Sequence, residues 1–198
     1  MPLYIIRPGE TNFDTESRVQ GALNLPLTER GRTQVDQTIE RLKNSSVEVI
    51  YTSPNEPALS TARAIAEGLD VPCKVLDDLV SFDLGLWQGL SLDEIRRKQP
   101  RVFRQWEDAP ESVCPPEGET CDEVKERICR ALRKPLKRRI KFAVVASEPL
   151  ASMIADVIRG DAAAVPGPLC GCCDSDRVEV IDDIKGAAAP AFNALRRW

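Results

Sequence analysis

The chain has 198 residues, 42% of them hydrophobic and 29% charged, enough to bury a sizeable core as one domain over residues 1–198. A net charge of -4 and a pI near 5.1 speak against general nucleic-acid binding, and no apolar run approaches the roughly 20 residues that a bilayer span requires. Histidine is absent altogether, which removes every mechanism that needs an imidazole base, nucleophile or metal ligand.

The chain opens directly into a strand-like run, "LYIIR" (3–7), with no signal-peptide pattern before it. The expected compartment is therefore the cytoplasm, and the seven cysteines are expected as reduced thiols rather than a disulfide framework. A helix is predicted over 28–43, with Thr28 as N-cap and Val35, Ile39 and Leu42 on one face. "VEVIYT" (47–52) reads as a strand and "ALSTARAIAEGL" (58–69) as a helix that Gly68 ends. Residues 73–78 read as a short strand. Residues 91–99 read as a helix opened by the capping box Ser91–Glu94. Residues 100–120 read as irregular. A helix over 120–132, an apolar strand over 141–147, a helix over 149–158 and a last strand over 177–182 complete the pattern, with 160–176 irregular. The alternation predicts a three-layer α/β fold, with a mainly parallel central sheet and helices on both faces. Its pocket is expected at the strands' C-terminal edge.

Six blocks carry a resemblance. They are "RPGET" (7–11), "RVQGALNLPLTERGRTQ" (18–34), "YTSPNEPALSTARAIA" (51–66), "FDLGLWQGLSLDEI" (82–95), "PEGETCDEVKER" (116–127) and "FAVVASEPL" (142–150). In this order they resemble the histidine phosphatase superfamily, the phosphoglycerate mutase-like proteins, over nearly the whole chain. The resemblance implies a phosphohistidine chemistry. One histidine attacks phosphorus, a second histidine and two arginines stabilise the transferring phosphoryl group, and a carboxylate handles the proton of the leaving oxygen.

The residues at those places differ. Pro8 stands where the nucleophile is expected, and an amide nitrogen cannot attack phosphorus. Pro57 stands for the second arginine, Ser81 for the carboxylate and Ser147 for the second histidine. Arg7 alone remains of the central set, with Gln20 and Gly21 where the family contacts substrate. Asp14 takes the place of a polar residue and would repel a phosphate. Losing even one transition-state donor costs on the order of a hundredfold in rate. The chain thus reads as a catalytically inactive member, without a cofactor, that binds, scaffolds or regulates.

Arg7 is expected either to hold an anion weakly or to pair with a nearby acid such as Glu10 or Asp14. Pro57 is tolerated only in a first helical turn, so that helix is expected to begin near Asn55 or Glu56. Ser147 lacks a base, because Glu148, next to it on an extended strand, should face the other way.

Other readings stay open. A phosphate-ester hydrolase could use other residues, for instance a cysteine of "CGCC" (170–173). Cys170, Cys172 and Cys173 could also form a thiol-based metal or redox module, although a structural zinc wants four ligands. The basic run 130–141 reads as the solvated face of a helix interrupted by Pro135. Trp87 and Trp106 flank the pocket as core, rim or partner anchors, and Trp198 is expected to dock the tail. A protein partner or a second copy of the chain is the expected kind of partner, with no nucleic acid and no membrane.

Overall fold

Two runs of four apolar residues form the middle of the molecule. In the computed structural model, which describes residues 2–138, 140–161, 164–170 and 177–182, strand β4 (Phe142–Val145) is buried along its whole length. It is flanked by β1 (Leu3–Ile6) and β2 (Val49–Thr52). A strand covered on both faces needs no polar alternation, which is why these segments read as continuous apolar runs. The order is β3-β2-β4-β1-β5, where β3 is Cys73–Val75 and β5 is Val178–Ile181. All neighbouring strands are parallel except β5, which runs antiparallel to β1 with Ile6 opposite Val178. The expected mainly parallel α/β sheet is present, with this one reversed edge.

Successive strand residues point to opposite faces and so feed two cores. Ile6, Ile50, Ala143 and Val145 pack against α2 (Glu29–Leu42) and α3 (Ala58–Leu69) through Val35, Leu42, Ala62 and Ile65. Ile5, Val49, Phe142 and Val144 pack on the other side, against α6 (Cys121–Lys137) and α7 (Leu150–Arg159). Beyond these lie α4 (Leu92–Lys98) and α5 (Pro100–Asp108). The remaining helix, α1 (Asn12–Thr15), is a single turn just after β1.

Several expectations need correcting. The stretch 100–120 is irregular only after Asp108: Pro100 opens α5 at a position where a missing N–H costs nothing, and Phe103 and Trp106, three residues apart, bury the same face. Pro135 does not interrupt its helix. It sits in the last turns of α6, buried, and the helix continues to Lys137. Gly68 does not end α3. The helix closes on Asp70 in the left-handed conformation, and a Cβ on Gly68 would lie 2.7 Å from Ile39 Cγ2, so this glycine allows α2 and α3 to approach. The short strand stops at Val75 and gives way to a 3-10 turn at Asp77–Leu79. α3 spans Ala58–Leu69, the bounds read from the sequence, and does not begin at Asn55 or Glu56 as Pro57 had suggested; Pro57 is its N-cap. Pro57 lies just outside the helix, so none of its hydrogen bonds requires the missing donor. Trp87 and Trp106 are core, meeting edge to face with centroids 5.5 Å apart. Trp198 lies outside the described residues.

Candidate functional site at the strand ends

β1 and β4 are parallel neighbours, so the residues that follow them emerge side by side at the same sheet edge. Arg7 and Pro8 follow β1, while Ala146, Ser147 and Glu148 follow β4. Between them opens a cleft of about 590 Å³, its mouth included. Pro8, Pro57 and Ser147, three of the four family positions singled out in the sequence, line it together with Arg7 and Gln20. Ser81 and Gly21 lie outside its wall.

The loop after β1 has little to offer a ligand from its backbone. The Arg7 amide donates to the Arg177 carbonyl at 2.8 Å, and Pro8 has no amide proton. The Gly9 amide donates to Thr61 Oγ1 at 3.3 Å, that of Glu10 to Gln34 Oε1 at 2.9 Å, and that of Thr11 to Asp14 Oδ2 at 2.7 Å. The last bond belongs to a capping box at the start of α1, so Asp14 lines the cleft as a helix cap.

Arg7 is bound to acids, but neither Glu10 nor Asp14 is among the partners it grips. Its Nε donates to Glu148 Oε1 at 2.5 Å, and both terminal nitrogens reach Glu179 Oε2 at 3.3 Å. Glu10 instead accepts from the Thr28 hydroxyl at 3.0 Å and pairs with Arg30. Partial burial works against the Arg7 charge, yet Glu148 and then Glu179 outweigh it and hold the guanidinium pKa above its ordinary value. Glu179 also pairs with Arg159.

Glu148 was expected to face away from Ser147. β4 stops at Val145, so strand alternation no longer governs these two residues, and both line the cleft. The Glu148 side chain is 6% exposed and accepts further bonds from Ser152, at 3.2 Å from the amide and 3.0 Å from the hydroxyl. The Ser147 hydroxyl is buried without a hydrogen-bond partner. It therefore has no base in place to raise its nucleophilicity.

Gln20 spends its amide on structure, donating to the carbonyls of Leu23 at 3.1 Å and Glu56 at 2.8 Å. Gly21 adopts φ +55°, and a Cβ there would run into Gln88, so it serves a turn. Ser81 is buried, with its amide bonded to Asn55 Oδ1 at 2.8 Å and its hydroxyl unpartnered.

Two cations in the wall were missed in the sequence. Arg18 pairs with Glu16 at 2.8 Å and Glu94 at 3.3 Å, and Arg177 donates to the Pro8 carbonyl. Arg177 opens a strand that only the antiparallel pairing brings beside β1, a relation no local motif encodes. Of the thiol stretch, Cys170 lines the cleft, while Cys172 and Cys173 lie outside the described residues. Among the described residues no group of three or more Cys, Asp or Glu is placed to hold a metal ion, and no helix is long and apolar enough to cross a membrane.

A family model described as the histidine phosphatase superfamily (branch 1) matches residues 3–163. Phosphoserine phosphatase 1 of Hydrogenobacter thermophilus is 32% identical over 143 residues, which cover 72% of this chain and 68% of that protein. A probable phosphoglycerate mutase, GpmB of Cronobacter sakazakii, is 34% identical over 134 residues, covering 67% of this chain and 61% of its own. For three mycobacterial relatives the matched part is only 35% of the protein. Among solved structures, a mycobacterial glucosyl-3-phosphoglycerate phosphatase in complex with VO3 superposes with a TM-score of 0.76 at 25% identity, covering 82% of each chain.

Proposed function

The chain belongs to the histidine phosphatase superfamily, and from that premise we propose that it is a non-hydrolytic member, whose scaffold serves binding, assembly or regulation. One observation carries the reading. In a chain with no histidine, the arginine at the end of β1 is matched by two carboxylates of its own chain, Glu148 and Glu179. The covalent route of the family needs a basic ring nitrogen where Pro8 stands, and its electrostatic route needs unbalanced positive charge. Neither requirement is met by the residues around Arg7.

A second reading has its own support. Relatives of this chain are named phosphatases and a phosphoglycerate mutase, and the cleft holds a buried Ser147 hydroxyl together with Arg18 and Arg177. On that reading the chain hydrolyses a phosphate ester through residues other than histidine. The comparisons speak for hydrolysis, and the chemistry of the cleft speaks against it. Ser147 lacks a base, and an incoming phosphate would meet Asp14 and Glu148 as well as the arginines.

An assay with an aryl phosphate on pure protein separates the two. The expected result is no turnover above a protein-free control. Turnover that disappears in Arg7→Ala and Ser147→Ala would overturn the non-hydrolytic reading in favour of the second. Turnover indifferent to both substitutions comes from a contaminating enzyme.

A further inference from the structure

Three donors converge on one point at the edge of the sheet. Arg7 Nε comes from the end of β1, and the amide and hydroxyl of Ser152 come from the first turn of α7; all three are spent on the carboxylate of Glu148. Such a set, a guanidinium with a backbone amide and a hydroxyl near a helix start, is a general binding arrangement for an oxyanion. Here the oxyanion belongs to the chain itself.

The surroundings fit the carboxylate closely. A Cβ on Gly167 would lie 2.2 Å from Glu148 Oε2 and 2.5 Å from Ser152 Oγ, so the segment after α7 packs directly on the carboxylate. Ser147, whose hydroxyl is buried without a partner, lines the same cleft, as do Arg18 and Arg177. Glu179 plays a different part. It lies outside the cleft wall, is one quarter exposed and is shared between Arg7 and Arg159.

Building on the non-hydrolytic reading, we propose that Glu148 is an internal ligand. Its carboxylate fills the anion position between Arg7 and Ser152, and the cleft accepts a small tetrahedral oxyanion such as inorganic phosphate only when that carboxylate is removed or neutralised. The two donor residues that remain there, Arg7 and Ser152, are thus self-occupied, and substituting one residue uncovers them.

The test compares inorganic phosphate binding by calorimetry in the unaltered chain, Glu148→Ala, Glu148→Gln, and Glu148→Ala combined with Arg7→Ala. Affinity is expected to rise by about tenfold or more in Glu148→Ala, the scale on which one charged hydrogen bond counts. The gain should vanish when Arg7 is also removed. Glu148→Gln keeps the size of the side chain, drops its charge and turns one acceptor oxygen into an NH2 donor, so it gives a gain of the same sign and carries the test should the alanine variant fail to fold. Phosphate bound as tightly by the unaltered chain, no gain in either variant, or a gain that survives the loss of Arg7 would each overturn the proposal. Aryl-phosphate hydrolysis is read in parallel. Its appearance in the unaltered chain would sink the non-hydrolytic reading, while the binding data would still decide the role of Glu148.

Discussion

Arg127 shows what a buried guanidinium does here when no cleft is near it. Its side chain is 7% exposed, and every nitrogen is engaged. Nε and Nη2 grip Glu119 at 3.1 and 2.9 Å, Nη1 donates to the carbonyls of Asp78 and Val80 at 3.0 and 2.5 Å, and Nη2 reaches that of Ser81 at 3.4 Å. One residue of α6 thereby hangs the segment 78–81 on the helix, and this is what places Ser81 in the interior instead of in the cleft. Removing Arg127 takes the donor from three backbone carbonyls and from the partly exposed Glu119, so Arg127→Ala is expected to destabilise the fold by about 2 kcal/mol or more. The urea midpoint at constant slope measures it. Lysine cannot reproduce the fork and should recover only part of the loss. A change below about 1 kcal/mol in the alanine variant would mean that the network contributes little. Arg7 differs in both respects: it grips two carboxylates and, among the described residues, no carbonyl, and it lines the cleft.

At the scale of elements, the Thr28 hydroxyl joins Gln34 and Arg30 in tying the loop after β1 to α2. Thr28 caps α2 by accepting the Gly31 amide at 2.9 Å, and it donates to Glu10 Oε1 at 3.0 Å. Thr28→Ala is expected to cost about 1 kcal/mol for the cap alone, read as a lower melting temperature; a shift indistinguishable from zero would show that the cap is replaced by water. This cap was legible in the sequence, as were the capping box of α4, the apolar runs of β1, β2 and β4, and the period of α2 and α3, because each is a local pattern of neighbouring residues. α5 was not, since its nine residues hold only Phe103 and Trp106 as buried anchors and its start was masked by Pro100. The site was half legible. The resemblance implied one pocket for Arg7, Pro8, Pro57 and Ser147, and in the structure these four line one cleft. The partners of Arg7 could not be read, because Glu148 and Glu179 lie 141 and 172 residues away along the chain. Only the parallel pairing of β1 with β4 and the antiparallel pairing with β5 bring them together.

Among the described residues of the whole molecule, the fold changes the proton affinity of a few carboxylates, and these act on stability against acid with opposite signs. The bonds Glu94 makes to the Ser91 amide and hydroxyl lower its pKa, and those Glu123 makes to the Thr120 hydroxyl and amide do the same. A group with a lowered folded pKa adds stability above its ordinary value, about 4.3 for glutamate, and loses it as pH falls through the folded value. Asp156 is shifted the other way, chiefly by burial, with the Val165 amide opposing. Its contribution is present below the ordinary aspartate value and disappears as pH rises through the raised one. The two kinds of group therefore partly cancel during acidification. Gln at 94 and 123 keeps an acceptor oxygen for the cap but cannot titrate, so Glu94→Gln with Glu123→Gln should flatten the fall in melting temperature between about pH 6 and pH 3. Asp156→Asn removes the opposing group and should steepen that fall. Thermal melts across the range check both slopes. Slopes that move together, or in the reverse directions, would mean that other carboxylates govern the acid limb and that the capping boxes are incidental to it.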